Sequence, residues 1–190
     1  MPKPFNIELL TGIGFGNPPG TGPLLGSVPT KLLMPRLPRS QLCIHTYFHV
    51  CAKGNNGRSL FLDDVDRNHY IFLIEKYRDR YNLQCLAYCL MTNHVHLLFL
   101  CPSIKNLSKT MHDLQVAYVV YFNRRHMQRG HLFESRFTSW VIKDEGHLLA
   151  TKKYIEENPV KAGIIQEKEN YRWSSATRDR SLVTISEIST

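Results

Sequence analysis

Leu83-Gln84-Cys85-Leu86-Ala87-Tyr88-Cys89-Leu90-Met91-Thr92-Asn93-His94-Val95-His96-Leu97-Leu98-Phe99-Leu100 is the stretch that decides the fold. Two apolar runs, 83–90 and 95–100, flank the short break Met91-Thr92-Asn93, which predicts two antiparallel strands joined as a hairpin. Upstream, the β-type run Ile44 to Ala52 ends in Lys53-Gly54-Asn55-Asn56-Gly57, a strong turn signal. Between that strand and the hairpin, Asp63-Asp64 precede Tyr70, Leu73, Ile74 and Tyr77 at helical spacing. Downstream, Ser103 opens a helix to about Asn123, with Leu107, Met111, Leu114, Tyr118 and Tyr121 on one side. Gln128-Arg129-Gly130 breaks it, and Phe133 to Ile142 predicts another strand. Asp144-Glu145 start a third helix, which Asn158-Pro159 and then Gly163 are expected to stop near Glu157. Strand, helix, hairpin, helix, strand, helix is the order of an α+β protein, an antiparallel β-sheet with helices packed on it.

The 190 residues suit one domain of ordinary size. Residues 1–33 hold six of the 11 glycines and six of the 10 prolines and show no sustained period, so they read as a flexible leader. Gly12-Ile13-Gly14-Phe15-Gly16 does not complete a nucleotide-binding G-x-G-x-x-G in either frame, because Asn17 and Pro19 occupy the third-glycine positions. The expected organisation is leader 1–33, domain 34–176 and tail 177–190. Cys43, Cys51, Cys85, Cys89 and Cys101 are odd in number and lack zinc-site spacing. Cys85 and Cys89 on one strand would stand about 13 Å apart, beyond the ~7 Å a disulfide spans. With no membrane-length apolar run and no signal-peptide pattern, the expectation is a soluble, cytoplasmic protein with reduced cysteines.

The chemistry begins with His94 and His96. Alternation along a strand puts both on one face, where imidazoles are half of a divalent-metal site. Alone, that pair is two polar residues on a strand. Tyr154 and Asn158, at i and i+4 of the third helix, add a hydroxyl able to attack a phosphodiester and a carbonyl oxygen suited to a hard cation. The formal charge of +8 favours a polyanionic partner. Across 121–143, Arg124, Arg125, Arg129, Arg136 and Lys143 face a single acid, Glu134, and are interleaved with Tyr121, Phe122, Phe133, Phe137 and Trp140. Cations for phosphates and rings for bases suit single-stranded DNA, although Phe122 and Trp140 read better as core. Lys53, Asn55, Asn56 and Arg58 form a second candidate DNA-binding loop, and Arg172 with Trp173 a third.

His94-Val95-His96 fits the His-hydrophobic-His signature of the HUH endonucleases, and the chain resembles the REP-associated tyrosine transposases. The resemblance rests on motifs in order: Tyr47-Phe48-His49-Val50, Gly54-Asn55-Asn56, Phe61-Leu62-Asp63-Asp64, Met91 to Leu98, and Tyr121-Phe122-Asn123-Arg124-Arg125. Gly130 to Phe137, Tyr154 to Gly163 and Tyr171-Arg172-Trp173-Ser174-Ser175 complete the series, which covers roughly 34–176. It implies a ferredoxin-like HUH sandwich. It also implies Mg²⁺ or Mn²⁺ held by His94, His96 and Asn158, with Tyr154 cutting one DNA strand through a 5′-phosphotyrosine link. The expected partner is single-stranded or hairpin DNA, and the expected setting a bacterial cytoplasm, on the nucleoid when bound. Insertion-sequence relatives are dimers with an exchanged tyrosine helix, whereas the repeat-associated group, which this chain matches more closely, points to a monomer. Lys53, Thr92 and Ser135 depart from the usual pattern without touching the four site residues. A histidine-triad hydrolase would need a third histidine where Leu98 stands. The other alternative is a catalytically silent hairpin-binding relative.

Overall fold

The computed structural model describes residues 46–177. The expected leader, Cys43, the start of the first strand at Ile44 and all but the first residue of the tail lie outside the described residues. Four strands form one antiparallel sheet: β1 Thr46–Lys53, β2 Gln84–Leu90, β3 His94–Cys101 and β4 Thr138–Val141. Their order is β2-β3-β1-β4, so β3 and β1 are central and β4 is an edge. The predicted hairpin is β2-β3. The helices are α1 Asp64–Arg80, α2 Ile104–Arg125 and α3 Glu145–Lys161.

Each helix starts where a short polar side chain satisfies an exposed backbone N–H. Asp63 accepts from the Asp66 amide, Ser103 from that of Asn106, and Asp144 from that of His147. The end of α3 differs from expectation, because the helix continues through Pro159 to Lys161. Its stop is set by Gly163, at φ +67°, which closes a paired terminus. The Gly163 amide donates to Val160 O and the Ile164 amide to Pro159 O, both at 2.9 Å. This left-handed glycine cap satisfies the last carbonyls, so it and not the proline defines the boundary.

The expected strand from Phe133 shortens to Thr138–Val141. Its first part is instead a loop laid along the end of β1. Phe133 makes one isolated bridge to Gly54, while the Glu134 amide donates to Lys53 O and the Asn55 amide to Leu132 O. Gly54 is required there by close approach, since a Cβ would collide with the Arg58 carbonyl oxygen. Lys53, Asn55 and the 131–137 loop are thereby fixed beside one another.

Alternation divides the sheet into unlike faces. Phe48, Val50, Ala52, Val95, Leu97 and Phe99 build the apolar face, under α1 and α2. Tyr70, Tyr118 and Phe61 fill the layer between them, and the Tyr118 hydroxyl donates to Leu60 O at 2.6 Å. The opposite face carries His49, Cys51 and Lys53 of β1 beside Leu98, His96 and His94 of β3, and α3 crosses it. The outer edge of β2 is covered by the chain's own 173–175 segment, through Leu90 N to Trp173 O and Ser175 N to Tyr88 O. Cys51, Cys85, Cys89 and Cys101 are free thiols, and Cys85 and Cys89 are unpaired as their spacing on one strand predicts. No helix among the described residues is long and apolar enough to cross a membrane.

Candidate active site

Registry brings the two histidines of β3 under the tyrosine of α3. The His94 and His96 ring centroids are 5.0 Å apart, and the Tyr154 ring meets His96 edge-on at 5.8 Å. Both histidines and Tyr154 are buried.

Each histidine has its Nδ1 held by a side chain. His94 Nδ1 lies 2.8 Å from Asn93 Oδ1, and Asn93 Nδ2 donates to Gly57 O at 3.4 Å, so the amide presents its oxygen to the ring. An amide oxygen only accepts, so His94 carries its proton on Nδ1 and its lone pair on Nε2. His96 Nδ1 lies 3.0 Å from Nε2 of His49, while His96 Nε2 is buried with no hydrogen-bond partner. Burial pushes the His94 imidazole down to about 4, with the Lys53 ammonium adding to it. Burial also holds His96 well below the ordinary range, helped by His49 and His94. Both rings are therefore neutral at physiological pH, the state in which imidazole ligates a metal.

Tyr154 and Asn158 stand one turn apart on α3 as predicted. Asn158 Nδ2 donates to Tyr154 O at 2.9 Å. Burial raises the Tyr154 hydroxyl above the usual phenol range, Cys51 adds to this, and a side-chain hydrogen bond with Asn158 works against it. The Lys161 ammonium sits 4.9 Å from the centre of the Tyr154 ring. His147, Thr151, Tyr154 and Asn158 follow at i, i+4, i+7 and i+11, one inward face of α3. His147 Nε2 and Thr151 Oγ1 on that face are buried without hydrogen-bond partners. Among the described residues there is no group of three or more His, Cys, Asp and Glu arranged for a metal, so the available donor set is two imidazoles and an amide.

Sequence reading missed His49. It is buried, bonded to His96, stacked on Trp140 at 5.0 Å and edge-on to Tyr154 at 6.0 Å. The signal was present, since His49 falls in a β-type run, but its meaning depends on the β1–β3 register.

The candidate DNA-binding residues fall into distinct places. Lys53 lies 3.9 Å from Glu134 Oε2 at the His94 end of the sheet, and Asn55 and Asn56 form a short 3-10 turn next to it. Arg58 lies over the Phe122 ring at 5.6 Å. Arg129, Arg136 and Lys143 are exposed. Asn55 and Arg136 help line a cleft of about 550 Å³ between α2 and the 131–137 loop. Arg124 is exposed on the outer side of α2, by a shallow groove with His69 and Val120. Arg125 is committed elsewhere: its guanidinium reaches Asp63 Oδ2 and Asp66 Oδ1, each at 2.6 Å, tying α2 to the start of α1. Arg172 stacks on Trp173 and lies 3.6 Å from Asp64. Phe122 is fully buried, as expected, while Trp140 is only partly so.

This combination of sheet and tyrosine helix is the fold of a tyrosine transposase. The structure of the REP-associated tyrosine transposase bound to a REP hairpin matches with a TM-score of 0.60, covering 77% of this chain and 87% of that one at 18% identity. The family model described as "Transposase IS200 like" matches residues 43–158, and the chain belongs to that family. Within it, the chain is similar to the REP-associated tyrosine transposase of Haemophilus influenzae, being 24% identical over 142 residues, 64% of this chain and 78% of that protein.

Proposed function

We propose that the protein nicks and rejoins single-stranded DNA presented as a hairpin, with Tyr154 as the nucleophile. The observation that carries this reading is the packing of Tyr154 against His96 of its own chain. The Tyr154 oxygen forms a bond to the scissile phosphorus and releases its proton, while the bond to the 3′ oxygen breaks and that oxygen leaves as a 3′-OH. The phosphate stays joined to Tyr154 as a 5′-phosphotyrosine. Because the diester energy is conserved, a 3′-OH reverses the step and rejoins strands without a nucleotide cofactor.

His94, His96 and the Asn158 carbonyl fit Mg²⁺ or Mn²⁺ as ligands. Two neutral imidazoles on one face and the unpartnered His96 Nε2 support that assignment. Bound there, the cation would neutralise charge on the scissile phosphate and favour the phenolate. Asn158 positions the hydroxyl by its hydrogen bond, and burial keeps the ring in one orientation. For the DNA, Lys53, Asn55, Asn56, Arg58, Arg129 and Arg136 are proposed to take phosphates and sugars at the His94 end of the sheet. Lys143 would contribute at the start of α3, with Arg124, Arg125 and Arg172 contributing more weakly, since the last two already face carboxylates. The acting unit is residues 34–176 of one chain, and the monomer is the proposed state.

The test uses 3′-labelled hairpin oligonucleotides with Mn²⁺. A covalent protein–DNA adduct that disappears in Tyr154→Phe is expected. Tight hairpin binding without adduct across the set would replace the enzyme by a silent binding module.

A further inference from the structure

We propose that His49 is a positioning residue that accepts the Nδ1 proton of His96 and so aims the His96 Nε2 lone pair at the cation. This rests on the metal-site reading above but goes beyond its three ligands. The two β3 histidines show the same construction. Asn93 Oδ1 fixes the His94 proton on Nδ1, and His49 Nε2 stands at 3.0 Å from the corresponding atom of His96. The difference is that a histidine nitrogen can donate as well as accept, so two arrangements compete. If His49 donated, the proton of His96 would sit on Nε2, a buried donor with no partner and no use to a metal. If His49 accepts, His96 Nε2 is a buried lone pair, and a cation satisfies it. Only the accepting arrangement lets the bound cation satisfy one of the two unpartnered nitrogens, His49 Nδ1 and His96 Nε2.

His49 has little freedom to abandon the contact. It is buried on a central strand, with Trp140 stacked on one side at 5.0 Å and the edge of Tyr154 at 6.0 Å. Its strand position is locked by pairing with Leu98 on β3 and Trp140 on β4. A ligand histidine whose second nitrogen is held this way keeps ring orientation and basicity, and loss of such a partner typically costs 10–100-fold in metal affinity.

The experiment compares His49→Leu, which fills the volume without an acceptor, with His49→Gln, whose amide oxygen can still accept. Nitrogen-15 NMR of the metal-free full chain reads the His96 tautomer, and titration with Mn²⁺ alone reads affinity, with thermal unfolding confirming that both variants are folded. Expected are an Nδ1–H tautomer of His96 in wild type and a roughly 10–100-fold loss of Mn²⁺ affinity in His49→Leu. His49→Gln should keep the tautomer and recover most of the affinity. A wild-type His96 protonated on Nε2, or equal Mn²⁺ affinity in His49→Leu and wild type, overturns the proposal. If His94→Ala leaves Mn²⁺ binding unchanged, the metal site itself is wrong, and the NMR tautomer then decides the role of His49 separately. Should His49→Leu not fold, His49→Gln and the wild-type tautomer still decide it.

Discussion

Lowering the pH from 7.5 to 5.5 in EDTA should destabilise this protein far more than carboxylate chemistry allows. Three buried imidazoles are held neutral in the fold: burial and the nearby His147 push His49 down to about 3, His94 falls to about 4, and His96 lies well below the ordinary range. In the unfolded chain each returns to about 6.5. Because the folded values are depressed, their full contribution is present above pH 6.5. It is lost progressively as pH falls from 6.5 towards 4–3, where the unfolded state takes up protons that the folded state refuses. At pH 5.5 each refused proton costs roughly RT ln 11, on the order of 1 kcal/mol, so the three together cost about 3–4 kcal/mol. Domains of this size have only about 5–15 kcal/mol in total. With a urea dependence near 2 kcal/mol per molar, the midpoint should fall by ~2 M between pH 7.5 and 5.5. Urea denaturation at both pH values measures this, and His94→Gln should reduce the drop by about 1 kcal/mol, the share of one ring. A wild-type loss below about 1 kcal/mol, less than one such proton, would refute the claim that the site is built from neutral histidines.

Asp66→Ala should cost about 2–3 kcal/mol by urea denaturation, because the buried carboxylate accepts from Leu62 N, Arg125 and His126. Asp63→Ala, which loses a half-exposed cap and part of the same arginine, should cost only about 1 kcal/mol; equal losses would mean that the ion pair is not centred on Asp66. Gly54→Ala should cost about 1–3 kcal/mol by the same assay, since the new Cβ meets the Arg58 carbonyl. It should also weaken hairpin binding by the 53–58 loop, measured by fluorescence anisotropy, and unchanged stability would show that the loop gives way freely.

The parts of this fold legible in the sequence are those governed by local rules. Ser103, Asp63 and Asp144 announced their helices because a capping side chain acts within three residues of itself. The β2–β3 hairpin was legible because its two runs and its break are contiguous. Of the two stop signals at the end of α3, Pro159 misled, because its missing N–H costs the helix one bond without ending it, and Gly163 set the boundary. The 133–137 segment also misled, since aromatic and β-prone residues are as useful in a loop packed on Lys53–Asn55 as in a strand. Arg125 looked like its basic neighbours, but its fork is closed by two carboxylates some sixty residues upstream. His49 was hidden for the same reason. Strand alternation places a histidine on a face, but only the register of β1 on β3 places it against His96.

That register also bears on how the tyrosine is delivered. The helix carrying Tyr154 is fastened to its own chain from two sides. Glu156, buried on α3, accepts from Lys168 at 3.0 Å and from Ser175 at 3.4 Å. The segment holding Ser175 is itself bonded along β2, and the Tyr171 hydroxyl donates to Leu90 O at 2.8 Å. Lys168 and Ser175 follow α3 in the chain, so these contacts bind the helix to the segment behind it, and removing them would leave a buried carboxylate unpaired, a state that typically costs several kcal/mol. Helix and segment thus form one unit laid along β2, held together by residues that never touch the site. The same bonds that cover the β2 edge against pairing with another chain hold Tyr154 in register.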